Sequence, residues 1–118
     1  MPVRSLNSYV LKWPDAKTVK DAFTVWAKKT VRNNTNVVRI GYFGSYARGT
    51  TGPGSDLDVV IIVKSSDKPF ERRGIDWDLT RLPVPVDVLV YTLREWESLD
   101  MHSRMARILK SETIWLYN

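Results

Sequence analysis

The sequence predicts an α/β (α+β) fold in which helices flank a small mixed β-sheet. Apolar residues recur at helical spacing in residues 15–32. Three later segments, at residues 37–43, 56–64 and 84–91, are apolar, β-branched runs of strand length. Glycine, proline, serine and asparagine cluster between these segments, as is typical of loops. The order of elements therefore favours one layer of strands covered by helices.

The first helix is predicted over residues 15–32, because apolar and lysine side chains fall on opposite sides. The apolar positions are Val19, Ala22, Phe23, Trp26, Ala27 and Val31, and the opposite positions are Lys17, Lys20, Lys28 and Lys29. The polar residues 33–36 end the helix, and the first strand follows at residues 37–43. A short helical turn is expected to begin at Ser45, before a mobile loop over residues 50–55.

The second strand is predicted from about Asp56 to Lys64, followed by a loop over residues 65–69. Residues 70–82 are ambiguous and are interpreted as a helix broken near Gly74. The third strand covers about residues 84–91. Two short helices, at residues 93–99 and 101–110, then precede an apolar terminal segment or short strand at 112–117. A stripe at helical spacing is assigned to the core: Met101, Met105, Ile108 and Leu109.

Two aspartates, Asp56 and Asp58, stand at the head of the second strand. Alternate residues of a strand share a face, so both carboxylates point the same way with their Cα atoms about 6.5–7 Å apart. Like charges this close are not expected to be fully buried unless something positive lies between them, and a divalent metal would neutralise them. A lone pair of this kind is more often a solvated strand edge. Asp76 and Asp78 share the spacing without a preceding glycine-rich loop, and we assign them to solvated surface.

The segment at residues 41–49 offers what a triphosphate needs. Gly44 permits close backbone approach, Ser45 carries a hydroxyl and Arg48 carries a positive charge. A lone Gly-Ser pair is most often an ordinary turn, and Arg48 has the alternative of being an exposed turn residue. The ordered series of strand, Gly-Ser turn, loop, aspartate pair and buried strand nevertheless indicates metal-dependent phosphoryl transfer. Ser45 is interpreted as a phosphate ligand, since no adjacent base activates it as a nucleophile.

One further acid, Asp87, interrupts the third strand. Valines at 84, 86, 88 and 90 share one face of this strand, and Asp87 and Leu89 share the other. A charge within such a strand needs a partner. One hypothesis is a salt bridge to an arginine or an edge strand in water. The other is a third metal ligand on the strand beside the one that carries Asp56 and Asp58.

Together these residues resemble the signature of the DNA polymerase beta-like nucleotidyltransferase superfamily, and the short chain resembles its minimal nucleotidyltransferase branch, which includes antitoxins. The resemblance covers roughly residues 15–117 and implies a nucleotidyltransferase fold. It implies that Gly44 and Ser45 hold the triphosphate of ATP or another NTP. It also implies that Asp56 and Asp58 coordinate two Mg²⁺ ions, with Mn²⁺ as a substitute, and that Asp87 takes the second ion and activates the attacking hydroxyl. In that branch a frequent partner is a small helical HEPN-domain ribonuclease toxin, silenced by modification of a tyrosine.

Composition limits the remaining possibilities. The 118 residues suit a single domain, and the sequence contains no cysteine, so disulfides, thiolate metal sites and cysteine nucleophiles are excluded. His102 is expected to be a partly exposed helix residue. The chain shows no signal peptide or membrane segment, and a cytoplasmic protein is expected. The net charge of +5 suits anionic partners. Short basic clusters are candidates for RNA contacts or for a solvated surface: Lys28, Lys29 and Arg32; Arg72 and Arg73; Arg104, Arg107 and Lys110.

Three functions stay open at this point. The first is transfer of a nucleoside monophosphate, with AMP from ATP expected, to a hydroxyl of a separate acceptor protein. The second is a non-catalytic module that neutralises a partner by contact alone. The third is nucleotide addition to RNA. Most of the five tryptophans are assigned to the core, whereas Trp77 is interpreted as a lid over the base or a partner-contact residue.

Overall fold

The computed structural model describes residues 13–118 and contains a mixed four-stranded β-sheet flanked by helices. Its strands are β1 (Val37–Phe43), β2 (Leu57–Val63), β3 (Val86–Thr92) and β4 (Ile114–Tyr117). They lie in the order β3-β2-β1-β4; β1 is antiparallel to β2 and β4, and the β2–β3 pair is parallel. The predicted fold class is confirmed, and the terminal segment left open between coil and strand is a strand.

The helices cover both faces of the sheet. They are α1 (Ala16–Asn33), α2 (Ser45–Arg48), α3 (Leu93–Glu97) and α4 (Arg104–Glu112), together with the 3-10 helix η1 (Phe70–Asp76). The start of α1 is fixed by Asp15, whose carboxylate accepts the N–H of Thr18 at 2.7 Å. No helix within residues 13–118 has both the length and the apolar character needed to cross a membrane.

The core lies on both sides of β2. Val19, Phe23 and Ala27 of α1 pack on one face of the sheet, where Leu57, Val59 and Ile61 are fully buried. On the other face, α3 and α4 pack in a second cluster formed by Phe43, Val60, Ile62, Trp96 and Leu109. Because strand side chains alternate, Asp58 belongs to the second face, with Val60 and Ile62. The side of the sheet that carries α3 and α4 is therefore the side of the candidate site.

The expected helix break near Gly74 is wrong, because η1 continues through it to Asp76. A Cβ at Gly74 would lie 3.1 Å from Val88 Cγ1, so this glycine allows η1 to pack closely on β3. The neighbouring Arg73, expected in an exposed basic cluster, is only 6% exposed. Its guanidinium donates to the Val90 carbonyl at 3.1 Å and to both carboxylate oxygens of Glu95 at 2.5 and 3.2 Å. The hydrogen bonds from Arg73 hold the pKa of Glu95 below its ordinary value. Because Arg73 is buried in these contacts, it is not part of an RNA-contacting surface.

The predicted core stripe near the end of the chain is only partly correct. Leu109 is buried, but Met101 and Met105 are 49% and 47% exposed. The reason is that α4 begins at Arg104, where the Ser103 hydroxyl accepts the N–H of Ala106, so Met101 lies in the preceding turn. His102 lies in the same turn and is exposed, outside the helix predicted to contain it.

The tryptophans are mostly structural, as expected. Trp96 is buried, and Trp13, Trp26, Trp77 and Trp115 are partly buried against the two core clusters. The ring of Trp77 lies 6.5 Å from that of Trp26 on α1. Trp77 also lines an open groove of about 650 Å³ with Trp13 and the residues leading into β3. A lid or partner role for Trp77 stays a prediction.

Candidate active site

The structure places two of the three predicted catalytic acids directly beside each other. Asp58, the second residue of β2, is the register partner of Asp87 in the parallel strand β3. Neighbouring strands lie about 4.8 Å apart, and register partners in parallel strands share a face. Asp56 lies two residues before Asp58, exposed and just ahead of β2. The prediction that Asp87 comes from the strand beside Asp58 is confirmed.

The alternative hypothesis for Asp87 is an edge strand in water or a salt bridge to an arginine. Its first part holds, because β3 is an edge strand of the described sheet and Asp87 is exposed. The other part does not hold within residues 13–118, where no lysine or arginine forms an ion pair with Asp87. An exposed, unpaired carboxylate beside a second carboxylate is available to a ligand from solvent.

The three acids interact electrostatically at Asp58. Partial burial raises the pKa of the Asp58 carboxyl, and the charges of Asp87 and then Asp56 raise it further, whereas Arg48 lowers it. The net effect is a raised pKa, so the ionised form of Asp58 is disfavoured in its surroundings. At this site the negative charge of the carboxylates is only partly balanced by Arg48.

The donor set is chemically suited to a hard divalent cation. All three acids offer carboxylate oxygens, the ligands that Mg²⁺ prefers, and Mg²⁺ is usually held by one or two carboxylates together with phosphate oxygens and waters. Within residues 13–118, no three acidic, histidine or cysteine side chains already converge into a metal cluster. The chemistry of the three carboxylates nevertheless fits such a cation.

Gly44 lies against the Asp58 carboxylate. Its φ of 71° and ψ of −148° fall in a region that essentially only glycine occupies. A Cβ built at this position would overlap Asp58 Oδ2. The Gly44 carbonyl accepts the N–H groups of Ala47 and Arg48, both at 3.0 Å, so the turn α2 is held next to the acids. The sequence prediction of a Gly-Ser turn beside the aspartate pair agrees with this geometry.

Arg48 is exposed at the end of α2, and its guanidinium donates to Glu112 Oε1 of α4 at 3.2 Å. Exposed ion pairs of this kind contribute little to stability, so Arg48 can exchange Glu112 for another anion at small cost. Glu112 was not predicted as part of the site. Only the packing of α4 on the sheet brings it to Arg48, and nothing in the spacing of the sequence signals that contact.

The second aspartate pair is separate from the site. Asp76 forms an ion pair with Lys68 at 3.0 Å, and Asp78 Oδ1 accepts hydrogen bonds from the backbone and hydroxyl of Thr80. The Thr80 contacts lower the pKa of Asp78, the opposite of the effect at Asp58. Both acids are exposed, which confirms their assignment to solvated surface.

Comparison with known proteins gives a family and a fold. Residues 26–116 match the family model described as nucleotidyltransferase domain. No curated protein sequence matches the chain at a significant level.

Among solved structures, a toxin-antitoxin crystallised with AMP-PNP aligns at 21% identity with a TM-score of 0.60, over 80% of this chain and 73% of that chain. A mutant of the toxin-antitoxin MntA-HpeT aligns at 21% identity and a TM-score of 0.57, with the same coverage. A proposed nucleotidyltransferase from Sulfolobus solfataricus aligns at 16% identity with a TM-score of 0.52, over 86% of both chains.

These structures share the fold of this chain. The family model spans well over half of the sequence and includes Gly44, Asp58 and Asp87. The chain therefore belongs to the nucleotidyltransferase domain family, the class of enzyme that its ordered motif predicted.

Proposed function

We propose that this chain transfers a nucleoside monophosphate, AMP from ATP, to a hydroxyl of a separate partner protein. We further propose that the partner is a small helical toxin of the HEPN type, so that the transfer acts as an antitoxin function. The observation that carries the proposal is the register pair Asp58–Asp87 next to the Gly44 backbone, in a chain of the nucleotidyltransferase domain family. The partner part is supported by two structures of the same fold that are toxin-antitoxins, one of them with the ATP analogue AMP-PNP.

In this proposal Asp56, Asp58 and Asp87 hold Mg²⁺, as two ions, with Mn²⁺ as a substitute. Bound divalent cations neutralise the triphosphate and lower the pKa of an acceptor hydroxyl. The pKa of Asp58, raised by burial and by its two acidic neighbours, indicates where positive charge is needed.

The other roles follow from position. The backbone at Gly44 has no side chain to obstruct a phosphate, the Ser45 hydroxyl donates to a triphosphate oxygen, and Arg48 balances phosphate charge after leaving Glu112. Asp87, exposed at the sheet edge, orients the acceptor hydroxyl. The hydroxyl oxygen then bonds to the α-phosphorus, the bond from that phosphorus to pyrophosphate breaks, and the hydroxyl proton passes to solvent water.

The basic residues favour a protein acceptor over RNA. Lys28, Lys29 and Arg32 lie on α1, on one face of the sheet, whereas Arg104 and Arg107 lie on α4, on the other. Arg73 is buried in its ion pair with Glu95. The positive charge is thus divided between two sides of the molecule, which does not suit a continuous path for a phosphate backbone.

The three candidate functions give different results in one labelling experiment. The chain is incubated with Mg²⁺, ATP labelled at the α-phosphorus, total RNA and the protein that co-purifies with it from the native host. We expect protease, but not nuclease, to release the label. Unlabelled ATP should reduce labelling more strongly than the other unlabelled NTPs do. Label in RNA would support nucleotide addition to RNA instead. Tight partner binding with no label in any fraction would indicate the non-catalytic module.

A further inference from the structure

The strand β4 forms an edge of the described sheet that no other element covers. It pairs with β1 on one side, and its outward backbone groups have no backbone partner within residues 13–118. The strand reads Ile-Trp-Leu-Tyr, without the charge or proline that usually protects an open edge. Ile114, Leu116 and Tyr117 are 39%, 37% and 42% exposed. An apolar edge of this kind is suited to pairing with another strand.

At the opposite edge of the sheet, the 3-10 helix η1 covers part of strand β3. Beside β3, η1 packs closely, with Gly74 against Val88 and the Arg73 guanidinium donating to the Val90 carbonyl. Nothing comparable lies against β4 in the part of the chain that the structure describes.

An apolar groove of about 260 Å³ runs between β4 and the second half of α1. Ala27 and Val31 line it from the helix, and Leu116 and Tyr117 line it from the strand. It lies on the face of the sheet that α1 covers, whereas Asp58 belongs to the other face. A ligand in this groove would leave the candidate active site open.

The charged residues at the groove indicate which kind of ligand would bind there. Lys28 and Arg32 line one side, both are exposed, and neither forms an ion pair within residues 13–118. Among the described residues 13–118, no carboxylate side chain lines the groove. An acidic ligand is therefore complementary, whereas a second copy of this chain would bring the same two cations toward their counterparts.

We propose that the β4 edge binds an extended segment of a partner protein whose every second residue is apolar or acidic, so that both kinds of side chain lie on the face that α1 covers. The segment adds a strand to the sheet, places an apolar side chain in the groove and directs acidic side chains to Lys28 and Arg32. This surface goes beyond the proposed transfer reaction, because it requires neither nucleotide nor metal. It holds a partner at the sheet edge while Asp58 and Asp87 stay accessible.

The test uses three capped hexapeptides: Glu-Thr-Val-Thr-Glu-Thr (the Glu-Val peptide), Lys-Thr-Val-Thr-Lys-Thr (the Lys-Val peptide), and the Glu-Val peptide with N-methylated backbone amides. In the first two, the Val and the charged residues share one face of the strand. Binding is followed by NMR shifts and amide exchange. We expect the Glu-Val peptide to bind, to slow exchange in residues 114–117, and to bind at least about tenfold more tightly than the other two. Equal binding of the Glu-Val and Lys-Val peptides, or no binding by any peptide, would overturn the proposal, as would a dimer of the chain that excludes the peptides.

A charge-reversed variant makes the test specific to this groove. Lys28→Glu with Arg32→Glu is expected to switch preference to the Lys-Val peptide, and Lys29→Glu, which alters an exposed cation of α1 outside the groove, should leave the preference unchanged. An unchanged preference in the double variant would refute the assignment. Asp58→Asn should bind the Glu-Val peptide as the parent does, so a failure of this proposal is distinct from a failure of the transfer reaction.

Discussion

Asp58→Asn is expected to reduce nucleotidyl transfer by at least about a thousand-fold while leaving the fold intact. Metal-bound carboxylates contribute several kcal/mol of charge stabilisation in the transition state, and each 1.36 kcal/mol corresponds to a factor of ten in rate. Asparagine keeps the shape of the side chain beside Gly44 and removes its charge. Turnover is measured as pyrophosphate release with the co-purified partner as acceptor, and circular dichroism checks the fold.

The same variant should be more stable than the parent at neutral pH when no metal is added. Burial and the neighbouring acids raise the pKa of Asp58 above its ordinary value of 3.8. A raised pKa in the folded state favours the protonated form, so its contribution to stability is present below the ordinary pKa and is lost as pH rises through the folded-state pKa. The advantage of Asp58→Asn should therefore shrink as pH falls through the folded-state pKa and be absent below the ordinary value of 3.8. It should also shrink when Mg²⁺ and ATP are added.

The second aspartate pair provides the matched control. Asp76→Asn and Asp78→Asn change exposed acids of the same spacing that pair with Lys68 and Thr80. Their activity is expected to stay within a few-fold of the parent. Full turnover by Asp58→Asn, or equal losses in all three variants, would remove Asp58 from the catalytic site.

Gly44→Ala is expected to lower both activity and stability. Its backbone lies in a region that essentially only glycine occupies, and the new Cβ would overlap the Asp58 carboxylate. Backbone strain and the displaced carboxylate together should cost about 2–5 kcal/mol in the free energy of unfolding, measured by urea denaturation. Transfer should fall well beyond what lower stability explains, because the methyl group moves Asp58 and blocks the approach of a phosphate.

Gly49→Ala separates strain from collision. Gly49 has a similar φ of 77°, but a Cβ there would meet no atom within 4 Å. We expect this variant to lose about 1–2 kcal/mol from left-handed strain alone and to keep its activity at low temperature. Similar activity in the two variants would mean that the contact between Gly44 and Asp58 has no role in catalysis.

Much of the fold follows from local pattern. The helical spacing from Val19 to Val31 and the β-branched runs of β1 and β2 produce elements whose bounds lie within a residue of those predicted. In these segments the buried side chains repeat at the spacing of a helix or a strand. The sequence pattern therefore predicts their secondary structure directly. The placement of Asp87 on the strand beside Asp58 followed in the same way, from a single acid in an apolar strand.

Other features depend on contacts between distant segments. Arg73 resembles a surface cation in sequence, and only the meeting of η1 with β3 and Glu95 buries it. Met101 and Met105 fit a helical core stripe, but α4 starts after Met101 and turns Met105 outward. The ion pair of Arg48 with Glu112 spans 64 positions. None of these follows from periodicity, because each depends on where one element lies across another.

The measurement that most directly tests the central claim is isothermal titration calorimetry of Mn²⁺ and a non-hydrolysable ATP analogue into the parent chain and three variants. The claim is that Asp56, Asp58 and Asp87 bind divalent cations together with a nucleotide. We predict that the parent binds the analogue more tightly with Mn²⁺ than without it, and that this difference is lost in Asp58→Asn and Asp87→Asn but kept in Asp78→Asn. Binding of the analogue that is unaffected by Mn²⁺, or metal-dependent binding that survives in both Asp58→Asn and Asp87→Asn, would contradict the assignment.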